Sequence, residues 1–199
     1  SIPIFAVASR VSVRQYSALR RICAGGVFPS RWSDRAGADR AMNESVPLGH
    51  QPPPRADGKL AVTITHLELT PSNWTQRGEP PDIDLRLTRE ENASVAFYRD
   101  LYDKVGRPWL WYERRLMSDV DLADLLARAD HELFVCRYGT DLVGYFELLD
   151  NEIQFFGLTL PYIGKRIGPW LLDRAIERGL ARGASVLVLN TDRKSTRLN

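Results

Sequence analysis

The stretch that decides the fold is EIQFFGLTLPYIGKRIGPWLL, residues 152–172. Its first seven residues have the composition of a strand, a loop with two glycines follows, and a helix is predicted to begin at about Gly168. Such a loop presents backbone N–H groups and the positive end of a helix dipole to an anion. Lys165 and Arg166 add positive charge. A pyrophosphate is the natural ligand, although many turns share this glycine spacing.

The segments on either side extend this unit into a sheet. Residues 132–138 and 141–149 are predicted strands that form an antiparallel meander with residues 152–158. Gly183 ends the helix, and residues 185–191 then form a strongly apolar strand. The buried stripe of the helix is predicted to consist of Ile167, Leu171, Ala175, Ile176 and Leu180.

One strand and two helices are predicted to precede the meander. Residues 61–69 alternate as a strand, a capping box over residues 88–91 opens a helix, and Ser118 opens another. The apolar stripe of the first helix includes Tyr98 and Tyr102. This order predicts an α+β fold, with a mostly antiparallel central sheet flanked by helices and one strand–loop–helix–strand crossover.

The chain is expected to contain one domain, over residues 60–191. Residues 1–59 carry no acidic side chain before Asp34 but several arginines, and they are expected to form a disordered extension. An organelle transit peptide is the alternative, since such peptides are rich in arginine and poor in acidic residues. Residues 192–199 are expected to be an artefactual tail.

Composition excludes several function classes. The net charge of +2 comes from 27 basic and 25 acidic side chains, a balance that argues against nucleic-acid binding. No apolar run approaches the roughly 20 residues that a membrane span needs. The two cysteines are far apart and the three histidines are scattered, so no metal site is predicted. Cys136 lies in an apolar strand as a reduced core residue, which favours a cytoplasmic protein.

The decisive stretch resembles the acetyl-CoA motif of GNAT N-acetyltransferases, whose loop reads Gln/Arg-x-x-Gly-x-Gly/Ala. Upstream, FYRDLY (97–102), GRPW (106–109) and VGYFEL (143–148) are similar to a bacterial GNAT subfamily, and the resemblance covers residues 61–191. It implies transfer of an acetyl group from acetyl-CoA to a primary amine, on a small molecule or a peptide, within a ternary complex. The acceptor and the oligomeric state have no recognisable code.

The resemblance also implies roles for individual residues. The Phe156 amide falls where the family polarises the thioester carbonyl, and Leu158, after Gly157, falls where it pairs with pantetheine. Glu152 falls where histone-type members carry the general base. The loop that would cradle the pyrophosphate consists of Ile163, Gly164, Lys165, Arg166, Ile167 and Gly168.

A general base is chemically necessary because an amine with a pKa near 10.4 is about 99.9% protonated at pH 7. Attack on a thioester needs the free amine, and a carboxylate can take its proton directly or through water. The alternative for Glu152 is a solvated residue at a strand start, and both interpretations stand. Glu147 and Asp150 are weaker candidates for which a structural role is favoured.

The sequence also departs from the family pattern. Arg166 stands where the first Gly of the Gly-x-Gly pair is usual, so its side chain either crowds a phosphate or pairs with it. Ile163 replaces the usual Gln or Arg, and Pro169 removes an amide. The family continues beyond residue 191 with a helix, further strands and the tyrosine that serves as general acid. We therefore expect a C-terminally truncated domain whose strand 185–191 is an exposed edge.

Two other functions remain open at this point. The chain could bind acyl-CoA without turnover, because Arg166 and the truncation disable the chemistry. It could instead be an interaction module whose aromatic segment, residues 109–112, docks a partner. For the aromatic residues of this segment, anchoring in the core is the favoured interpretation, and an exposed cluster would favour docking.

Overall fold

The computed structural model describes residues 12–21, 59–76, 78–109 and 111–192. Within these ranges, the strands are β1 (Ser12–Arg21), β2 (Lys59–Leu69), β3 (Leu85–Arg89), β4 (His131–Tyr138), β5 (Asp141–Leu149), β6 (Glu152–Leu158) and β7 (Leu187–Asp192). The helices are α1 (Val95–Gly106), α2 (Glu113–Leu116), α3 (Asp119–Leu126) and α4 (Ile167–Ala181). All of these strands join one sheet, in the order β1-β2-β7-β6-β5-β4-β3.

The sheet confirms the predicted α+β fold class. Strands β3, β4, β5 and β6 form an antiparallel meander, and β6 is parallel to β7. Helix α4 connects β6 to β7 and makes the predicted strand–loop–helix–strand crossover. The sheet therefore has one parallel step among the described strands.

The expected exposed edge at residues 185–191 is wrong. Strand β7 pairs with β2 along most of its length, from Leu69 opposite Leu187 to Ile64 opposite Asp192, and β1 pairs with the far side of β2. The alternating pattern of β2 predicts a strand but not its neighbour, because a long-range pairing leaves no local mark. The domain boundaries remain a prediction: β1 lies within the expected extension, while residues 22–58 and 193–199 lie outside the described residues.

The first predicted helix start is also wrong. Thr88 lies in β3 opposite Val135, so the capping-box residues belong to a strand and the loop that follows it. Helix α1 begins instead after Ser94, whose hydroxyl accepts a hydrogen bond from the Phe97 amide at 3.2 Å. Pairing with β4 takes precedence over the local capping signal. The second cap is confirmed, since Ser118 Oγ accepts from the Asp121 amide at 3.1 Å.

Both faces of the sheet are covered by helices. Helix α4 packs on one face with the predicted stripe turned inward, although Leu180 is only half-buried. Helices α1 and α3 cover the meander on the other face, where Tyr98 and Tyr102 are buried. No helix in the described ranges combines the length and apolar character that crossing a membrane requires.

Candidate active site

A gap opens between the two parallel strands. Strands β6 and β7 are paired only where Glu152 lies opposite Val188 and Ile153 opposite Leu189. The Val188 N–H also donates to the Asn151 carbonyl oxygen at 2.9 Å. Strand β6 continues to Leu158 without further pairing to β7, whose other edge is bound to β2. The strands therefore diverge towards their carboxyl ends.

The register of β6 determines which backbone groups face this gap. The Thr159 N–H donates to the Val143 carbonyl oxygen at 2.9 Å, which identifies a hydrogen-bonded pair at the end of the β5–β6 ladder. Such pairs alternate with non-hydrogen-bonded pairs in an antiparallel ladder. Phe156 and Leu158, opposite Phe146 and Gly144, occupy the non-hydrogen-bonded positions. Their N–H and C=O groups therefore point away from β5, into the gap, while those of Gly157 point to β5.

A β-bulge interrupts β6 just before these residues. Glu147 lies opposite Phe155 and Leu148 opposite Ile153, so Gln154 is the additional residue. Strict alternation would place Phe156 on the same sheet face as Gln154. The bulge places Phe155 there instead, where it packs against the α1 side, and Phe156 packs on the α4 side. Sequence periodicity gives no sign of this change.

Glu152 lies at the narrow end of the gap. Its carboxylate accepts hydrogen bonds from Gln154 Nε2, at 2.7 Å, and from Asn190 Nδ2. Desolvation raises the pKa of Glu152, and the bonds from Asn190 and Gln154 and the charge of Arg114 oppose that rise. The side chain is thus half-buried and hydrogen-bonded rather than fully solvated. Neither amide partner was identified from the sequence.

The predicted anion loop leads into α4. Gly164 and Arg166 both have left-handed backbones, with φ of 80° and 61°, and both are exposed. Arg166 is the N-cap residue of α4, and no side chain caps this end, so the amides of Ile167 and Gly168 lie in an uncapped first turn. Ile163, half-buried, precedes Gly164.

The two basic side chains of the loop are placed differently. Lys165 Nζ lies 4.9 Å from the centre of the Tyr162 ring, turned back towards the end of β6. Arg166 makes no hydrogen bond or ion pair with another residue of the described part of the chain. Its left-handed backbone costs an arginine about 1–2 kcal/mol, a cost that a glycine would not carry.

A second loop covers one side of the first turn of α4. The buried Asp173 carboxylate accepts hydrogen bonds from the Gly78 amide and from Trp74 Nε1, the latter at 3.3 Å. The α-hydrogen side of Gly78 packs directly against the backbone of Trp170. The contact between Asp173 and the loop before β3 leaves no local mark in the sequence.

The weaker candidate Glu147 lies in the protein interior, where it is bonded to buried side chains. It is completely buried on β5, where Tyr98 Oη donates to it and Arg114 Nη2 lies 2.6 Å from its Oε1. Desolvation acts to raise the pKa of Glu147, but the neighbouring His131 and the charge of Arg114 outweigh it and lower the pKa. Asp150 is exposed in the β5–β6 turn. The complete burial of Glu147 agrees with the structural role favoured for it.

The described residues of the aromatic segment are partly buried rather than exposed on the surface. The Trp111 ring lies 5.5 Å from the Tyr102 ring and 5.1 Å from the Phe155 ring, centre to centre, and Gly106 provides room for it. Trp109 and Tyr112 are half-buried, and Leu110 lies outside the described residues. The core interpretation is confirmed for Trp111, and the docking interpretation loses the exposed cluster that would have favoured it.

Comparison with solved structures finds acetyltransferases that are similar to this chain at low identity. An aminoglycoside acetyltransferase from an uncultured soil metagenomic sample is 17% identical, with a TM-score of 0.45 over 54% of this chain and 79% of that chain. A ribosomal-protein-alanine N-acetyltransferase from Brucella melitensis biovar Abortus 2308 is 20% identical, with a TM-score of 0.41 over 55% and 82%. An IAA acetyltransferase from Bacillus cereus ATCC 14579 is 20% identical, with a TM-score of 0.36 over 50% and 61%.

These three likenesses are at low identity and at TM-scores below 0.5. No family model matches the chain, and no curated protein matches it. A likeness at this level leaves the activity to be argued from the geometry of the site. In the described ranges, no group of three or more His, Cys, Asp or Glu side chains is placed to hold a metal ion.

Proposed function

We propose that this protein is an N-acetyltransferase that binds acetyl-CoA in the gap between β6 and β7 and transfers the acetyl group to a primary amine in a ternary complex. The observation that carries the proposal is the direction of the Phe156 and Leu158 backbone groups, which face the gap. The pantetheine arm of CoA contains two amides. An unpaired strand edge can bind such a chain as it would bind another strand.

The loop before α4 supports the position of the phosphates. Backbone amides of Gly164 to Gly168 and the uncapped start of a 15-residue helix favour an anion. Arg166 is exposed and can pair with a phosphate oxygen without breaking an ion pair to another described residue. Lys165 would have to leave the Tyr162 ring to do the same.

The chemistry then uses the two ends of β6. The Phe156 N–H would donate to the thioester carbonyl oxygen and stabilise the oxyanion that forms as the amine attacks. Glu152 and Phe156 are separated by three residues, one of which is the bulge residue Gln154, so we place water between Glu152 and the amine. The ammonium group loses one proton towards Glu152, the C–N bond forms, and the C–S bond breaks. The second proton lost from the nitrogen goes to the departing CoA thiolate.

The acceptor class and the cellular compartment are part of the same proposal. The acceptor would be an amine of a small molecule or a peptide. The thiol of Cys136 is free and buried, and its burial raises the pKa of that thiol to about 11, so it is an inert core group. We propose a cytoplasmic protein on this basis.

Calorimetry of acetyl-CoA binding tests the proposal. In Gly168→Asp, the new Cβ would lie 3.8 Å from Leu158 Cδ1, an ordinary contact, and an acidic residue in the first turn stabilises a helix. The variant should therefore fold while its carboxylate repels phosphates. We expect the unaltered chain to bind and Gly168→Asp to lose binding.

The matched control is Ala127→Asp, which adds the same charge at an exposed position after α3. It should bind as the unaltered chain does. Absence of binding by the unaltered chain would contradict the proposal. Binding without transfer to any amine in a panel would instead support an acyl-CoA-binding protein.

A further inference from the structure

Side-chain amides from two strands hold the Glu152 carboxylate. Gln154 Nε2, on β6, donates to Oε2 at 2.7 Å, and Asn190 Nδ2, on β7, donates to Oε1. Each carboxylate oxygen therefore has its own amide donor. We call Gln154 and Asn190 the amide clasp.

The amide clasp spans the point where the two strands separate. The last paired position of β6 and β7 is Ile153 opposite Leu189, and Asn190 is the next residue of β7. The bulge at Gln154 is the next residue of β6. The backbones of β6 and β7 are no longer paired at this point. The Gln154 and Asn190 side chains still link the two strands, because both donate to the Glu152 carboxylate between them.

We propose that Asn190 and Gln154 are positioning residues that fix the orientation of the Glu152 carboxylate and supply the donors that favour its ionised form. The inference rests on the proposed function, in which Glu152 receives the proton of the amine. An amide N–H is a donor that cannot itself take up a proton at neutral pH, so it orients the carboxylate without competing for the proton.

Burial and the surrounding charges together determine how strongly the amide clasp must stabilise the ionised form of Glu152. Arg114, on α2, acts to stabilise the carboxylate, but it is already paired with Glu147 on β5. His66, on β2, lies opposite Asn190 on β7. Burial of Glu152 favours its neutral form. The clasp therefore supplies direct hydrogen bonds to an anion that shares the charge of Arg114 with another carboxylate.

Replacing a donor by a carboxylate of the same shape reverses this effect. In Asn190→Asp, two carboxylates would lie within hydrogen-bond distance, and two such groups resist ionising together. The same holds for Gln154→Glu. Since Glu152 accepts a proton only when ionised, a rise in its pKa moves the acidic limb of kcat/KM to higher pH. We expect a shift of about one pH unit or more in either variant.

The experiment compares pH profiles of kcat/KM for the unaltered chain, Asn190→Asp and Gln154→Glu. The control is Asn92→Asp, which makes the same change at an exposed position that follows β3, a strand at the edge of the sheet and three positions away from β6. The two clasp variants should shift the acidic limb and the control should not. A loss of rate without any shift of the limb would overturn the inference, because damage to structure alone does not move a titration.

A second readout separates this inference from the proposed function. Carbon-13 NMR of labelled glutamate carboxyls follows the Glu152 titration directly, with the signal assigned by its absence in Glu152→Gln. If the unaltered chain acetylates no amine, the proposed function fails, yet this titration still tests the clasp. A Glu152 midpoint that rises in both clasp variants supports the clasp, and a midpoint unchanged in both overturns it.

Discussion

Arg114 Nη2 lies 2.6 Å from Glu147 Oε1 in the interior of the protein, with the Glu147 side chain completely buried. The pair joins α2 to β5, the strand next to β6, and Tyr98 of α1 donates to the other carboxylate oxygen. The guanidinium also lies 4.9 Å from the centre of the Phe155 ring, next to the bulge of β6. One ion pair thus connects the helices on this face to the strand that carries the proposed reaction.

Removing one partner of this pair should be costly. Glu147→Ala leaves Arg114 buried without its counter-ion, and we expect a loss of about 3–5 kcal/mol in the free energy of unfolding. Urea unfolding followed by circular dichroism measures it. The control is Asp103→Ala, which breaks the exposed pair with Arg115 and should cost at most about 1 kcal/mol. Equal losses in the two variants would show that burial of Glu147 is unimportant.

The same pair predicts how stability depends on pH. The pKa of Glu147 is lowered in the folded state, so its contribution is fully present above the unfolded value, about 4.3, and is lost as pH falls through the folded value. The stability advantage of the unaltered chain over Glu147→Gln should therefore shrink with acidification below that pH. Glu132, whose pKa is also lowered, is present in both proteins and cancels. A difference that stays constant with pH would contradict this.

The parts of the fold that depend on interactions between residues close in sequence could be predicted, and the parts that depend on distant residues could not. The meander and the stripe of α4 depend on short-range alternation and periodicity, and the structure confirms both. The start of α1 was predicted wrongly because Thr88 pairs with Val135, a residue distant in sequence. The candidate site also could be predicted only in part. Glu152 was proposed from the family resemblance. Its contact with Asn190 depends on a bulge and a strand register, which no local sequence pattern indicates.

Arg166 provides a matched pair of variants. Arg166→Gly and Arg166→Ala both remove the charge, so each should weaken acetyl-CoA binding about tenfold if the guanidinium pairs with a phosphate. Only glycine relieves the left-handed backbone, so Arg166→Gly should be about 1 kcal/mol more stable than Arg166→Ala. Calorimetry and thermal unfolding measure the two effects. Tighter binding by both variants would show that the side chain crowds the ligand instead.

Gly106 should tolerate no side chain. A Cβ atom there would overlap the Trp111 side chain, which packs against Tyr102 and Phe155. We expect Gly106→Ala to lose about 1–3 kcal/mol of stability despite the higher helix propensity of alanine. The control is Gly168→Ala in α4, where the nearest contact would be 3.8 Å. Urea unfolding measures the stability of both variants. A gain in stability for Gly106→Ala would show that Trp111 leaves room for a side chain at this position.

Binding of acetyl-CoA in the gap between β6 and β7 is tested most directly by the response of the β6 amides to acetyl-CoA in nitrogen-15 NMR. The Phe156 and Leu158 amides, which face the gap, should shift and become protected from hydrogen exchange when the ligand binds. The Gly157 amide points to β5 and should keep the protection it already has. If acetyl-CoA binds while the Phe156 and Leu158 amides remain unchanged, the ligand lies elsewhere and the proposed site is wrong.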